Sequence, residues 1–222
     1  MMLHSAWEIL VATYNPGKVR EVEEALGTLP IKLRFLQEFS KIAPVDEVGI
    51  TYEENATLKA LGYAHQTGLL SLADDSGLEV DLLDGGPGVY SARFGGEHSS
   101  DSDRVQKLLR SLAEFEDKPR QARFVCCMAL ATNHPDSSHT REGSQLLTVV
   151  QETCEGTIAA APRGSGGFGF DPVFVPTGYS QTFGELPSEV KSEISHRAKA
   201  LIAIREFLAG PLLKLDHWNS HP

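Results

Sequence analysis

Apolar and polar positions alternate in blocks along this chain, and the blocks predict its elements. "WEILVAT" is a nearly continuous apolar run and predicts a buried strand ending at Thr13. In "NPGKVREVEEALG" the apolar residues Val19, Val22 and Leu26 recur at three- and four-residue spacing, with Arg20, Glu21, Glu23 and Glu24 between them. That pattern predicts a helix with Asn15 as N-cap, Pro16 in the first helical position and Gly27 just past the end. "IKLRFL" alternates apolar and basic residues, as a half-buried strand does. Thr51 and Glu54 have the spacing of a capping box, opening a second helix that runs to about Gln66.

Further along, "LLSLAD" reads as a buried strand leading straight into "DSG". "DGGPG" must be loop, because its glycines and proline extend no regular structure. A helix is expected near Asp103 to Glu114, then strands at "ARFVCCMALAT" and "QLLTVVQETC", with the polar "NHPDSSHTREG" as a hairpin tip between them. The pattern closes with a helix from Ser195 to Ala209, capped by Ser195 and stopped by Gly210-Pro211. Helices and strands intermix without repeat or clear linker, so the expected class is α/β or α+β with a mixed sheet.

Composition narrows the function classes. The chain has 222 residues, 41% hydrophobic and 23% charged, which suits one large or two small globular domains. It holds no apolar stretch long enough to span a membrane. Its first residues lack a basic region ahead of a long apolar run, which argues against secretion. Cys126, Cys127 and Cys154 form neither a zinc spacing nor an even disulfide framework, and a reducing, cytoplasmic setting is expected. The net charge of −10 argues against a protein that grips a nucleic-acid backbone. A small phosphate ligand remains compatible, since a few local cations and a metal ion set the field of one pocket.

Five segments carry residues suited to chemistry, each with a bland reading beside the functional one. "TYNPGK" places Lys18 at a helix N-terminus, where N–H groups and an ammonium suit phosphate; the alternative is an ordinary capped helix. "ADDSG" sets Asp74 and Asp75 after a buried strand, where oxygen ligands suit Mg2+; the alternative is an Asx-type turn. Glu47 offers a further oxygen ligand and Lys59 a phosphate contact, or else both are solvated surface. "GGFGFDPVF" has the look of an RNA-binding aromatic strand, but Pro172 would remove a ladder donor there. A pocket for one nucleotide, or a glycine-rich turn entering a core strand, are the other readings. Lys191, His196 and Arg197 cluster at what reads as one helix start, a placement unfavourable to the helix dipole unless an anion arrives.

Together, "VATYNPGKVREV", "TYEENATLKA", "LADDSGLEVDLLDGGPGVYSARFGG", "GGFGFDPVFVP" and "ELPSEVKSEISHRAKAL" closely resemble the successive motifs of the inosine triphosphatase family. These are pyrophosphatases of non-standard purine nucleoside triphosphates, and the wording is of the bacterial dITP/XTP type. The resemblance runs from about Ile9 to Leu208, within a domain expected to cover residues 1–210, and leaves 211–222 as a tail without assigned role. It implies an elongated, two-lobed α/β fold around a long twisted mixed sheet, with the active cleft between the lobes. It further implies a Mg2+-dependent homodimer that cleaves ITP, dITP and XTP to the monophosphate and pyrophosphate.

By position, the resemblance makes Thr13, Tyr14, Asn15, Pro16, Gly17 and Lys18 the holders of the triphosphate, with Lys59 supporting its phosphate end. Glu47 and Asp75 are implied metal ligands, Asp74 a further ligand or neighbour, and Asp75 the general base. Ser76 is an implied substrate contact; Phe168, Gly169, Phe170 and Asp171 are implied to hold base and sugar, with Phe168 stacking, and Lys191, His196 and Arg197 to complete the nucleotide pocket. Donors aimed at O6 would reject adenine, whose amino group would meet another donor; His196 or nearby backbone N–H groups are expected to supply them. The rival readings are a pyrophosphatase for other modified nucleotides and a non-catalytic nucleotide- or RNA-binding module.

Overall fold

The computed structural model describes residues 7–96, 98–115, 117–133 and 143–212. Its strands are β1 (Trp7–Val11), β2 (Ile31–Phe35), β3 (Leu70–Val80), β4 (Gln121–Asn133), β5 (Ser144–Ile158) and β6 (Phe174–Pro176). Its helices are α1 (Pro16–Leu26), α2 (Tyr52–Thr67), α3 (Asp101–Leu112), α4 (Ser188–Ile194) and α5 (His196–Phe207). The strands make one six-stranded sheet in the order β2-β1-β3-β4-β5-β6. β1 pairs in parallel with β2 and β3, while β5 and β6 are antiparallel. The sheet is therefore mixed, as the interleaving of elements predicts.

The chain divides into two compact units, and the divisions fall inside β3, β4, β5 and α5. The first unit holds the chain up to Asp74, Cys127–Gln151, and the chain from Ala200. Its buried side chains include Ile9, Leu10, Val22, Leu26, Met128, Leu130, Leu201 and Ile204. The second unit holds Asp75–Cys126 and Glu152–Lys199. Its core gathers Leu78, Val80, Leu108, Leu112, Phe124, Phe170, Phe174 and Phe183. Cys126, Cys127 and Cys154 are all buried, and burial pushes the Cys154 thiol up to about 11. Such a thiol is core packing rather than a nucleophile.

Local signals act as read at several element ends. Asn15 accepts from Gly17 N at 2.8 Å and Lys18 N at 3.2 Å, capping α1. Thr51 and Glu54 form the expected reciprocal box at the start of α2. Ser195 caps α5 by accepting from Ala198 N.

Four readings are settled or corrected. "DSG" is not a turn: β3 runs through it to Val80, Gly77 takes no left-handed conformation, and Ser91 Oγ accepts the Leu78 N–H at 2.8 Å. α3 begins at Asp101 rather than Asp103, because Ser100 is its cap and Asp103 answers as the third residue of the box. A separate short helix, α4, precedes Ser195, whose extended backbone breaks it from α5. The last α-helix ends at Phe207 rather than at Gly210-Pro211, and a π-helical turn carries the backbone on through Leu208–Leu212. The expected hairpin tip and tail lie mostly outside the described residues.

Candidate functional site

In the first unit the candidate residues meet around the start of α1, the buried face of α2 and the end of its share of β3. Thr13 Oγ1 accepts the Asn15 N–H, and Asn15 in turn takes the N–H groups of Gly17 and Lys18. Those backbone donors are thus satisfied within the loop, and Lys18 contributes through its side chain. Its ammonium is ion-paired with the buried carboxylate of Asp74. Tyr14 is half exposed beside this loop, and Pro16 fills the first turn of α1.

Lys59 lies on the buried face of α2, among residues spaced by three and four: Tyr52, Asn55, Ala56, Ala60, Tyr63 and Ala64. A lysine survives there because its head is held twice. Lys59 Nζ donates to Glu47 Oε1 at 3.0 Å and to the Asp74 carbonyl at 2.7 Å. Two lysines and two carboxylates, Lys18 with Asp74 and Lys59 with Glu47, are therefore assembled from segments that are far apart in sequence.

Asp75 follows Asp74 on the same strand, so the two carboxylates leave opposite faces of β3. Both are buried. Among the described residues no group of three or more His, Cys, Asp or Glu is disposed to hold a metal by itself. A single hard carboxylate nevertheless suits Mg2+, which binds through one or two carboxylates and completes its octahedron with water and substrate phosphate. With one carboxylate to each face of β3, the residues fit an ion that is shared with a phosphate ligand.

In the second unit the glycine-rich segment is a loop and a 3-10 turn, Asp171–Val173, leading into β6. β6 is a three-residue edge strand, and Phe170 and Phe174 are buried in the core. The RNA-platform reading is thereby overturned, since these rings present no exposed aromatic sheet surface. Phe168 is only half buried. Lys191 Nζ stands 4.6 Å from the centre of its ring and the Arg197 guanidinium 5.5 Å, both within cation–π range.

Asp171 organises this group rather than facing out of it. Its Oδ2 accepts from Phe168 N at 2.8 Å and from Lys191 Nζ at 2.5 Å. Gly167 takes φ +72°, and a Cβ there would overlap that carboxylate, so glycine is required twice over. Arg197 donates to Ser76 Oγ at 2.8 Å, tying α5 to β3 beside Asp75. The His196 ring lies nearly parallel to Phe124 with centroids 4.7 Å apart. Lys191 belongs to the last turn of α4, where the helix dipole favours a cation; only His196 and Arg197 open α5.

One contributor escaped the motif reading. Asp101 Oδ2 accepts the Gly169 N–H at 2.6 Å and pairs with Arg104, fixing the same loop from α3. Its acidic side chain in a helix's first turn reads as ordinary dipole compensation, which hides the contact. With Asp171 on Phe168 N and Asp101 on Gly169 N, both of those N–H groups already have acceptors. Base recognition by backbone donors at these two positions is therefore not what the loop offers.

The profile of the Ham1 family matches residues 9–207. The chain belongs to the Ham1 family. A dITP/XTP pyrophosphatase of Bacillus cereus is 42% identical over 204 residues, spanning 92% of this chain and 96% of the relative. Another from Desulforamulus reducens is 46% identical over 202 residues, spanning 90% and 95%. Among solved structures, a HAM1 protein from Coxiella burnetii superposes with a TM-score of 0.80 at 39% identity, covering 91% of this chain and 98% of that one. For a Ham1 protein the two lysine–carboxylate pairs, each with one buried member, and Phe168 with its two cations are the features that call for a ligand. No helix among the described residues is long and apolar enough to cross a membrane.

Proposed function

We propose that this Ham1 protein hydrolyses ITP, dITP and XTP to the nucleoside monophosphate and pyrophosphate, clearing them from the nucleotide pool. The observation that carries the reading is the match, over 92% of the chain, to a relative named for dITP and XTP pyrophosphate release. The side-chain chemistry supports it. Lys18 and Lys59 supply ammonium groups for a triphosphate whose charge rises as the anhydride breaks. Lys191 and Arg197, both close to the Phe168 ring, suit an aromatic base and a sugar phosphate.

Mg2+ would be held by Asp75 and Glu47, with Asp74 as a further ligand or neighbour. When bound it supplies Lewis-acid neutralisation of the phosphate oxygens. Asp75 takes the proton from the attacking water as its oxygen bonds to phosphorus, and the α–β bridging oxygen leaves with pyrophosphate. Lys18 and Lys59, held on Asp74 and Glu47, are set to turn toward incoming phosphate without a large desolvation cost, because their heads are already out of water. Discrimination against adenine rests on side-chain donors, His196 foremost. The enzyme acts in the cytoplasm as a homodimer.

The test is pyrophosphate release from ITP, dITP, XTP, ATP and GTP, with Mg2+ and with chelator. Mg2+-dependent release from the first three and little from the others is the expected result. Equal release from all five would retain the hydrolytic site and remove the base discrimination. A folded protein that binds nucleotide without turnover would favour a non-catalytic module.

A further inference from the structure

The buried face of α2 carries two polar side chains among its small and aromatic ones, Asn55 and Lys59. Lys59 holds Glu47. Asn55, one turn earlier, holds the same loop two residues further on. Its Oδ1 accepts the Gly49 N–H at 2.8 Å, and its Nδ2 donates to the Gly49 carbonyl at 3.3 Å. A primary amide matches both poles of one residue's backbone, as a neighbouring strand would. Asn55 is 1% exposed, so these bonds operate away from competing water.

Ahead of Glu47 the loop is already held to α2: the Gln66 amide pairs with both poles of Ala43, the Val45 N–H donates to the Tyr63 hydroxyl, and the Val45 side chain packs on Gly62. Past Glu47, Val48 and Ile50 are 76% and 78% exposed and contribute little burial. Glu54 accepts the N–H groups of Ile50 and Thr51, but this lies at the helix end of the loop. The approach of Gly49 to the helix is close: a Cβ on it would stand 2.8 Å from Asn55 Oδ1 and 2.6 Å from the Glu54 Cβ. An alanine would force the loop outward.

Resting on the functional reading above, we infer that Asn55 is a positioning residue for Glu47, locking the loop at Gly49 so that the carboxylate is presented as a metal ligand. Asn55 touches neither substrate nor metal. It acts by removing the freedom of the stretch that follows Glu47, where Val48 and Ile50 give no apolar anchor, as residues behind a ligand commonly do. Its effect must therefore pass through Glu47.

The test is a double-mutant cycle read by isothermal titration of Mg2+ into the protein saturated with a non-hydrolysable α,β-methylene analogue of ITP, with turnover measured in parallel. N55A is expected to weaken Mg2+ binding about tenfold, in the range for groups that orient a ligand. E47Q is expected to weaken it at least as much, and N55A is expected to add nothing in the E47Q background. Excess Mg2+ should restore most of the turnover of N55A. G49A, which disturbs the same junction from the loop side, is expected to reproduce the loss and serves if N55A does not fold. An N55A effect that is equal in the wild-type and E47Q backgrounds would overturn the inference while leaving the functional reading intact. Unchanged Mg2+ affinity in E47Q, or no Mg2+ uptake by the wild-type complex, would overturn both.

Discussion

The ammonium of Lys191 lies 2.5 Å from Oδ2 of Asp171, and both side chains are buried. The pair joins α4 to the loop that carries Phe168, across twenty residues of sequence. Removing one member of such a pair strands the other in a dry site, at a cost of about 3–5 kcal/mol. D171N and K191M are each expected to lower the unfolding free energy by that order, and the double variant to recover part of the loss. Urea denaturation of the four proteins checks this. Additive losses would show that the two groups do not depend on one another.

Asp75→Asn should abolish most turnover while nucleotide binding is largely kept. Loss of a general base lowers rates by roughly 10²–10⁴-fold. Single-turnover hydrolysis of ITP beside equilibrium binding of the non-hydrolysable analogue separates the two effects. Wild-type rates in this variant would remove Asp75 from the chemistry.

Asp101 and Asp103 both lie in the first turn of α3 but touch different partners. Asp103 completes the capping box with Ser100, whereas Asp101 accepts the Gly169 N–H. D103A is expected to lower thermal stability, a cap being worth about 1 kcal/mol, with KM for ITP unchanged. D101A is expected to raise KM severalfold with kcat little altered, and D101N, which retains an acceptor, to restore it. Equal KM in D101A and D103A would reduce Asp101 to a helix-end charge.

Acid should destabilise the protein below about pH 4.5. Hydrogen bonds from Lys32 and then Arg34 hold the Glu8 carboxyl below its ordinary value of 4.5, and Arg34 does the same for Glu38. The Ser100 hydroxyl and N–H hold Asp103 below 3.8. Each folded carboxyl binds its proton less readily than the unfolded one. The stability it contributes is complete above the unfolded value and is lost as pH falls through the folded value. Melting temperatures from pH 6 to pH 3 should stay level and then fall, with a shallower fall in E8Q. A fall of equal depth in E8Q would exclude Glu8 from the acid response.

The local half of this picture was legible in the residue pattern. Periodicity and caps locate α1 and α2 because Asn15, Pro16, Thr51 and Glu54 act on backbone groups within four residues of themselves. The resemblance located the Asp74–Asp75 pair, Lys18, Lys59 and the Phe168–Asp171 loop. The pattern left "DSG" open between a strand and an Asx-type turn; strand pairing and the Ser91 hydroxyl on Leu78 N decide for the strand. It read Ser195 as the cap of α5 but passed over α4, a helix of two turns, and so set Lys191 at the wrong helix end.

From its sequence alone this protein's element types, mixed α/β class, acidic balance and family were determined, since these depend on short-range preferences and on motifs in order. Tertiary structure decided which partner each charged group takes. Asp171 reads in sequence only as a contact to base and sugar, yet its carboxylate holds Lys191 and Phe168 N. Asp101 and Asn55 look like routine helix residues, yet they clamp Gly169 and Gly49. A hydrogen bond forms between whatever groups the packed chain brings within about 3 Å, and sequence separation has no part in that distance.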